Sequence, residues 1–299
     1  MLIATDLVKK FGDFTAVSGM NFSVDGGCVL GLIGSNGAGK STIIRMLTGV
    51  YKPTSGTVSY DGEDVFDNVA VKRNIFYFPD ELYFAGTTVK DIAKFYAHFF
   101  PKFNTELYFE LCDSFKLKKT QPIMACSKGM KRQVMMNAAI ASNAKYIFLD
   151  EAFDGLDAVA RQTYIRLFIE IAREKDTCVI VATHNIREID HFCDRLCLLY
   201  KSNIIADTTP DELVHRRTRV ILGENCGVEP KALIEKYNVS HKVRGSEYTL
   251  TFSSSRADTV DLLKNEGVKE YDVIPMTLED SFVSELEESG YAIKDIDIV

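Results

Sequence analysis

The first residues alternate only loosely between apolar and polar positions, with turn pairs at Gly12-Asp13 and Asp25-Gly26-Gly27. This pattern predicts short, half-buried strands at Leu2–Lys9, Thr15–Val17 and Asn21–Val24. A denser apolar run follows. Val29, Leu30, Leu32 and Ile33 precede a glycine-rich loop, and Ile43, Ile44, Met46 and Leu47 then repeat at helical spacing. A buried strand, a loop and a helix start are expected there. Thr57–Tyr60 reads as a strand closed by the hairpin pair Asp61-Gly62, and Lys72–Phe78 carries a helix end into a strand that Pro79 stops.

From Asp80 to Asn143 the apolar period lengthens. Val89, Ile92, Tyr96 and Phe99 predict one helix, and Leu107, Leu111 and Phe115 a second beyond Pro101. A third, about Gly129–Ser142, starts behind the N-cap residue Ser127. Strand-length runs return at Tyr146–Leu149, Cys178–Thr183 and Leu196–Tyr200, separated by expected helices at Ala158–Glu174 and Ile186–Phe192. Strands alternating with helices imply a parallel sheet, so residues 80–143 read as a helical insertion into an α/β core. The insertion is rich in aromatics, and a small helical unit needs most of them for its own core.

The basic stretch His215-Arg-Arg-Thr-Arg219 reads as a solvated linker between residues 1–214 and 219–299. Beyond it come strand Val220–Gly223, helix Glu229–Tyr237, strand Val239–Val243, strand Glu247–Phe252, helix Arg256–Glu266 and strand Glu270–Ile274. That βαββαβ order is the ferredoxin-like split. A last helix carries Leu278, Phe282, Val283 and Leu286 on one side.

Composition narrows the class only slightly. A formal net charge of −7 invites neither nucleic acid nor anionic lipid. Seven scattered cysteines without a CxxC pair suggest reduced thiols in a cytosolic chain. No apolar run approaches the ~20 residues of a membrane span, and Met1-Leu-Ile-Ala-Thr lacks the basic start of a signal peptide.

The chemistry begins at Gly34-Ser35-Asn36-Gly37-Ala38-Gly39-Lys40-Ser41-Thr42, which fits the phosphate-binding pattern GxxxxGK[ST] between a strand and a helix. Glycines let consecutive N–H groups turn towards one anion, and the helix N-terminus adds about half a positive charge. Lys40 is the candidate for the β/γ-phosphates of ATP, and Ser41 for a Mg²⁺ ion. Asp150, ending a buried strand, suits the Mg²⁺ shell opposite Ser41. Glu151 is placed to orient or deprotonate the attacking water.

Ser127-Lys128-Gly129-Met130 at a helix start, some twenty residues before Asp150-Glu151, resembles the signature motif of ABC-family ATPases, usually LSGGQ. The resemblance spans about residues 2–214. It includes the P-loop, a D-loop-like Gly155-Leu156-Asp157, and Thr183-His184 after the next strand. It implies a P-loop NTPase core of α/β class with an N-terminal β subdomain and the helical insertion; the C-terminal α+β unit, read from its own pattern, lies beyond it. It also implies roles. Phe11 stacks on adenine, and His184 contacts the γ-phosphate. Ser127, Lys128, Gly129 and Met130 face a nucleotide held by a second subunit. Two departures stand out. Asp80 takes the place of the Q-loop glutamine and is a further candidate for the Mg²⁺ shell. Lys128 and Met130 replace glycine and glutamine, and Lys128 either faces the phosphate in trans or points to solvent.

The sequence is similar to separate-chain bacterial multidrug or bacteriocin-type exporter ATPases, and its end, Pro275-Met-Thr-Leu278-Glu279-Asp280-Ser-Phe282, is similar to that subgroup. The implied partners are transmembrane permease subunits and a second copy or a related ATPase subunit, with no nucleic acid. The implied location is the inner face of the cell membrane, held there through the permease. The rival expectation is a soluble ABC-family ATPase acting as a mechanical switch on a non-transport partner.

Overall fold

Strand β1 (Leu2–Phe11) buries Leu2 and Ala4, then Leu7, so its alternation slips by one residue between Ala4 and Leu7. The slip is a bulge at Asp6, whose φ of 47° is left-handed. In the computed structural model, which describes residues 1–290, β1 lies between β2 (Phe14–Val24) and β4 (Ser55–Tyr60), antiparallel to both, with the two-residue β5 (Glu63–Asp64) at the edge. Strand β2 is continuous where two short strands are predicted, because Gly19 adopts a positive φ of 67° and lets the strand bend without ending.

Strand β3 (Val29–Gly34) is buried along its whole length and runs through the glycine loop into α1 (Lys40–Leu47). After α2 (Val69–Lys72), β6 (Ile75–Phe78) ends where Pro79 stands. The insertion consists of α3 (Val89–Phe99), α4 (Thr105–Ser114) and α5 (Lys128–Ala141), each capped by a side chain, from Thr88, Asn104 and Ser127. Then follow β7 (Tyr146–Asp150), α6 (Ala158–Lys175), β8 (Cys178–Thr183), β9 (Arg195–Tyr200) and β10 (Asn203–Thr208). They form a six-stranded sheet in the order β10-β9-β3-β8-β7-β6, parallel from β9 through β6. Strands buried on both faces explain the unbroken apolar runs of β3, β7 and β8. One apolar cluster joins the two sheets through Ile43, Ile44 and Leu47 of α1.

Several expectations change here. Ile186–Phe192 is no helix. Only Ile186–Glu188 forms a 3₁₀ turn, and His191 takes a left-handed φ of 63° before β9 begins. Ile186, Ile189 and Phe192 are buried at helix-like spacing, which is what mimicked a helix. The aromatic insertion is less buried than its composition suggests. Phe100 and Tyr108 are core residues, whereas Tyr83, Phe95 and Phe99 are exposed. All seven cysteines are free thiols, and among the described residues no helix is long and apolar enough to cross a membrane.

Contacts divide the chain between Asp207 and Thr208. The second unit opens with α7 (Pro210–His215), begun by a capping box from Thr209 and Glu212. It continues with β11 (Thr218–Leu222), α8 (Pro230–Tyr237), β12 (Ser240–Arg244), β13 (Glu247–Phe252), α9 (Arg256–Asn265), β14 (Tyr271–Ile274) and α10 (Leu278–Glu288). The antiparallel sheet order β12-β13-β11-β14 is the ferredoxin-like arrangement. The stretch His215–Arg219 is not a solvated linker. Arg217 is buried and paired with Glu285 and Glu288, and Arg219 with Asp280. A buried guanidinium with two carboxylates organises the unit rather than joining it to something else.

Candidate active site

The loops after β3, β6, β7 and β8 all leave the same edge of the parallel sheet, the carboxyl ends of its strands. In open α/β sheets that edge is where ligands bind. The loop after β3 is the glycine loop. At Gly39 the backbone has φ 106°, and a Cβ there would stand 2.6 Å from the Ala16 carbonyl oxygen, so only glycine fits. This places Lys40 at the first turn of α1, where it is 6% exposed. Its Nζ donates to the carbonyl oxygens of Gly34 (2.8 Å) and Ser35 (3.3 Å) and lies 3.5 Å from Glu151 Oε1. Ser35, Asn36 and Gly37 form the loop's exposed crest; Ala38 is buried beneath them, and Thr42 is half-buried on α1.

Asp150, at the end of β7, is fully buried. It accepts from the Ser41 hydroxyl at 3.1 Å and from the Tyr77 hydroxyl at 3.4 Å. Burial pushes its carboxyl above the usual range, partly opposed by the Ser41 hydrogen bond and reinforced by the charges of Glu151 and Asp80. Burial, followed by the Asp150 charge, likewise pushes the Tyr77 phenol up to about 12. A hydroxyl and a buried carboxylate side by side are hard oxygen donors, the set that Mg²⁺ takes together with phosphate oxygens and water. The residues present therefore fit that ion; among the described residues Asp150 forms no ion pair, and Arg45 acts on it only through its charge.

Glu151 follows in a left-handed conformation, φ 47°. Its carboxylate sits between Lys40 and His184, whose Nδ1 lies 2.9 Å from Oε2. In the tautomer protonated at Nδ1, His184 donates to it. Lys40, Glu151 and His184 thus form one linked set, and Ser41 and Asp150, their neighbours along the chain, form a second beside it.

The remaining candidates lie apart from it. Asp80 is half-exposed and pairs with Arg132 at 3.1 Å; neither Ser41 nor Asp150 is among its hydrogen-bond partners. Ser127 accepts from the Met130 N–H as the cap of α5, and the Lys128 aliphatic chain lies against Gly155. Among the described residues no hydrogen bond or ion pair joins Ser127, Lys128, Gly129 or Met130 to the glycine loop. A Cβ at Gly129 would come within 2.9 Å of the Gly155 carbonyl oxygen, so the signature stretch and Gly155-Leu156-Asp157 fit closely. Asp157 caps α6 through the Ala160 N–H at 2.9 Å, and Leu156 is buried. Phe11 is 46% exposed rather than a core aromatic, edge-on to Tyr51 at 5.7 Å and with Lys9 5.2 Å from its ring centre.

Two contributors escape a reading by motif. Arg45 lies within hydrogen-bond reach of Tyr77 and Tyr51, and Arg132 binds both Asp80 and the Glu151 backbone. Neither stands in a recognisable pattern, since an arginine in an amphipathic helix is expected at the surface.

With this geometry in view, the comparisons are specific. A family profile described as ABC transporter matches residues 17–154. The ABC transporter ATP-binding protein YtrB of Bacillus subtilis (strain 168) is 25% identical over 95% of the chain and 97% of its own length. The lipopolysaccharide export system ATP-binding protein LptB of Haemophilus influenzae is 30% identical over 75% of the chain and 98% of its own. A solved structure described as the ATP binding subunit of an ABC transporter superposes with a TM-score of 0.66 at 26% identity, covering 71% of this chain and 91% of that one.

Proposed function

The chain belongs to the ATP-binding proteins of ABC transporters, and from that premise we propose that it is the ATP-hydrolysing subunit of an exporter, closing on a second copy around two nucleotides to drive a separate membrane permease. One observation carries the reading: Glu151 is held by Lys40 and His184 directly beside the Ser41–Asp150 pair. A carboxylate so placed can take a proton from water attacking a phosphate lodged in the glycine loop.

The chain's own groups divide the work. The loop amides and Lys40 bind the β- and γ-phosphates, for which Lys40 exchanges its bonds to the Gly34 and Ser35 carbonyls. Ser41 and Asp150 hold Mg²⁺, which when bound neutralises phosphate charge; Asp80 joins that shell only by leaving Arg132. His184 orients Glu151 and then reaches the γ-phosphate. Phe11 offers its exposed ring to adenine. The exposed Ser127 hydroxyl and the amides of Lys128 and Gly129 form a second anion site at a helix start, beside Met130, whose N–H is taken by the Ser127 cap. A partner's nucleotide completes it.

Exposed Tyr83, Phe95 and Phe99 on the insertion favour docking of an apolar helix from the permease. Membrane association through that partner follows. Relatives named for export support the direction of transport.

The deciding experiment is Glu151→Gln. The variant is expected to bind ATP, accumulate an ATP-bound dimer and lose turnover by about 10²–10⁴-fold. Ordinary hydrolysis by it would remove Glu151 from the mechanism. Co-purification from native membranes with a multi-span protein is expected in parallel; recovery on ribosomes instead would favour the mechanical switch.

A further inference from the structure

Arg132 lies in α5, five residues beyond Ser127, and is 1% exposed. Its guanidinium stands 5.8 Å from the centre of the Phe78 ring. One terminal nitrogen donates to the Glu151 carbonyl oxygen at 2.6 Å. The other donates to the Asp80 carbonyl oxygen at 3.3 Å and to Asp80 Oδ1 at 3.1 Å. One side chain therefore ties together the signature helix, the loop after β6 and the first residue after β7.

The Glu151 bond matters because of where that residue sits. Its φ of 47° is a conformation that a non-glycine residue keeps only when its surroundings hold it. Its backbone is restrained through its own N–H, bonded to the Ala182 carbonyl oxygen at 2.9 Å, and through its carbonyl, which accepts from Arg132 at 2.6 Å and, at a longer 3.4 Å, from the Asp154 N–H. A planar fork with separate donors suits such a bridge, whereas a lysine reaches one side of it. The charge of Asp80 meets a buried cation whose other hydrogen-bond partners, among the described residues, are carbonyl oxygens.

Resting on the reading of Glu151 as the base, we propose that Arg132 is a positioning residue for hydrolysis, holding the Glu151 peptide in its catalytic pose and linking that pose to the place of Asp80. A displacement of Asp80 pulls on the same guanidinium that holds Glu151. The half-exposed Asp80 side chain is accessible to whatever docks beside it.

The test compares Arg132→Lys, Asp80→Asn and the double variant with Glu151→Gln in the full chain, by steady-state ATPase kinetics and calorimetric ATP titration. For Arg132→Lys, kcat falls at least about tenfold while KM and ATP affinity stay within about twofold, the mark of an interaction felt only in the transition state. Asp80→Asn removes one anchor of the fork and lowers kcat by about threefold. The double variant is no slower than Arg132→Lys alone, because both substitutions cut one linkage. Full kcat in Arg132→Lys, or losses that multiply in the double variant, overturn the proposal. Should Arg132→Lys not fold, full kcat in the surface variant Asp80→Asn overturns it. Hydrolysis by Glu151→Gln instead removes the base assignment, which separates the two failures.

Discussion

The two units of the chain bury charge in opposite ways. In the second, Arg217 meets carboxylates on every side: Glu288 through Nε and one terminal nitrogen, at 3.2 and 2.6 Å, and Glu285 through the other at 2.9 Å. In the first, buried Lys40 donates to two carbonyls of its own loop and lies 3.5 Å from a single carboxylate oxygen of Glu151, and among the described residues buried Asp150 accepts from two hydroxyls and forms no ion pair. A buried charge with a complete set of partners is structure. One whose complement is missing, at the carboxyl edge of a parallel sheet, marks a place where a charged ligand belongs.

The contrast can be broken by substitution. Arg217→Met leaves Glu288 without its cation and Glu285 with Arg216 alone, and is expected to cost the second unit about 3–5 kcal/mol, with ATP affinity unchanged. Lys40→Ala is expected to do the reverse. Losing charge-assisted bonds worth about 1.5–3 kcal/mol each reduces ATP affinity by roughly 10²-fold or more, with a smaller loss of stability than in Arg217→Met. Calorimetric titration and thermal melts of both variants check the pair; retained affinity in Lys40→Ala, or normal stability in Arg217→Met, would reverse the assignment. Phe11→Ala sharpens the boundary. An exposed ring contributes little to stability, so its loss should appear almost wholly in nucleotide affinity, at about 1–3 kcal/mol by the base-stacking range. Equal affinity for ATP would return Phe11 to the surface of β1.

How much of this was legible in the sequence depended on distance along the chain. The glycine loop with its flanking strand and helix is local, as is the alternation that makes the βαββαβ unit, and both could be read directly. The Asp6 bulge and the continuity of β2 were hidden, because they depend on register with a neighbouring strand. The stretch His215–Arg219 looked solvated because its partners, Glu285 and Glu288, lie 68 and 71 residues later for Arg217. Arg132 was invisible for the same reason: Asp80 is 52 residues before it and Glu151 19 after. Motifs disclosed the groups proposed to touch phosphate. The groups that hold them in place became visible only in three dimensions.

The smallest expected effect concerns acid. The hydrogen bond and charge of Arg217 hold the Glu288 carboxyl below the usual range. A carboxylate depressed in the folded state stabilises above its unfolded pKa, near 4.3 for glutamate, and loses that contribution as pH falls through the folded value. Glu288 is itself half-exposed, so solvent screens the pair and the effect is modest. In thermal melts from pH 7 down to pH 3, the wild type should therefore start above Glu288→Gln and converge with it below about pH 4.3. A gap that stayed constant down to pH 3 would mean that the glutamate acts through packing alone, and Arg217 would then owe its burial to Glu285. Nucleotide affinity at pH 7 should be the same in both proteins. A loss in Glu288→Gln would show that the second unit's charges are coupled to the site after all.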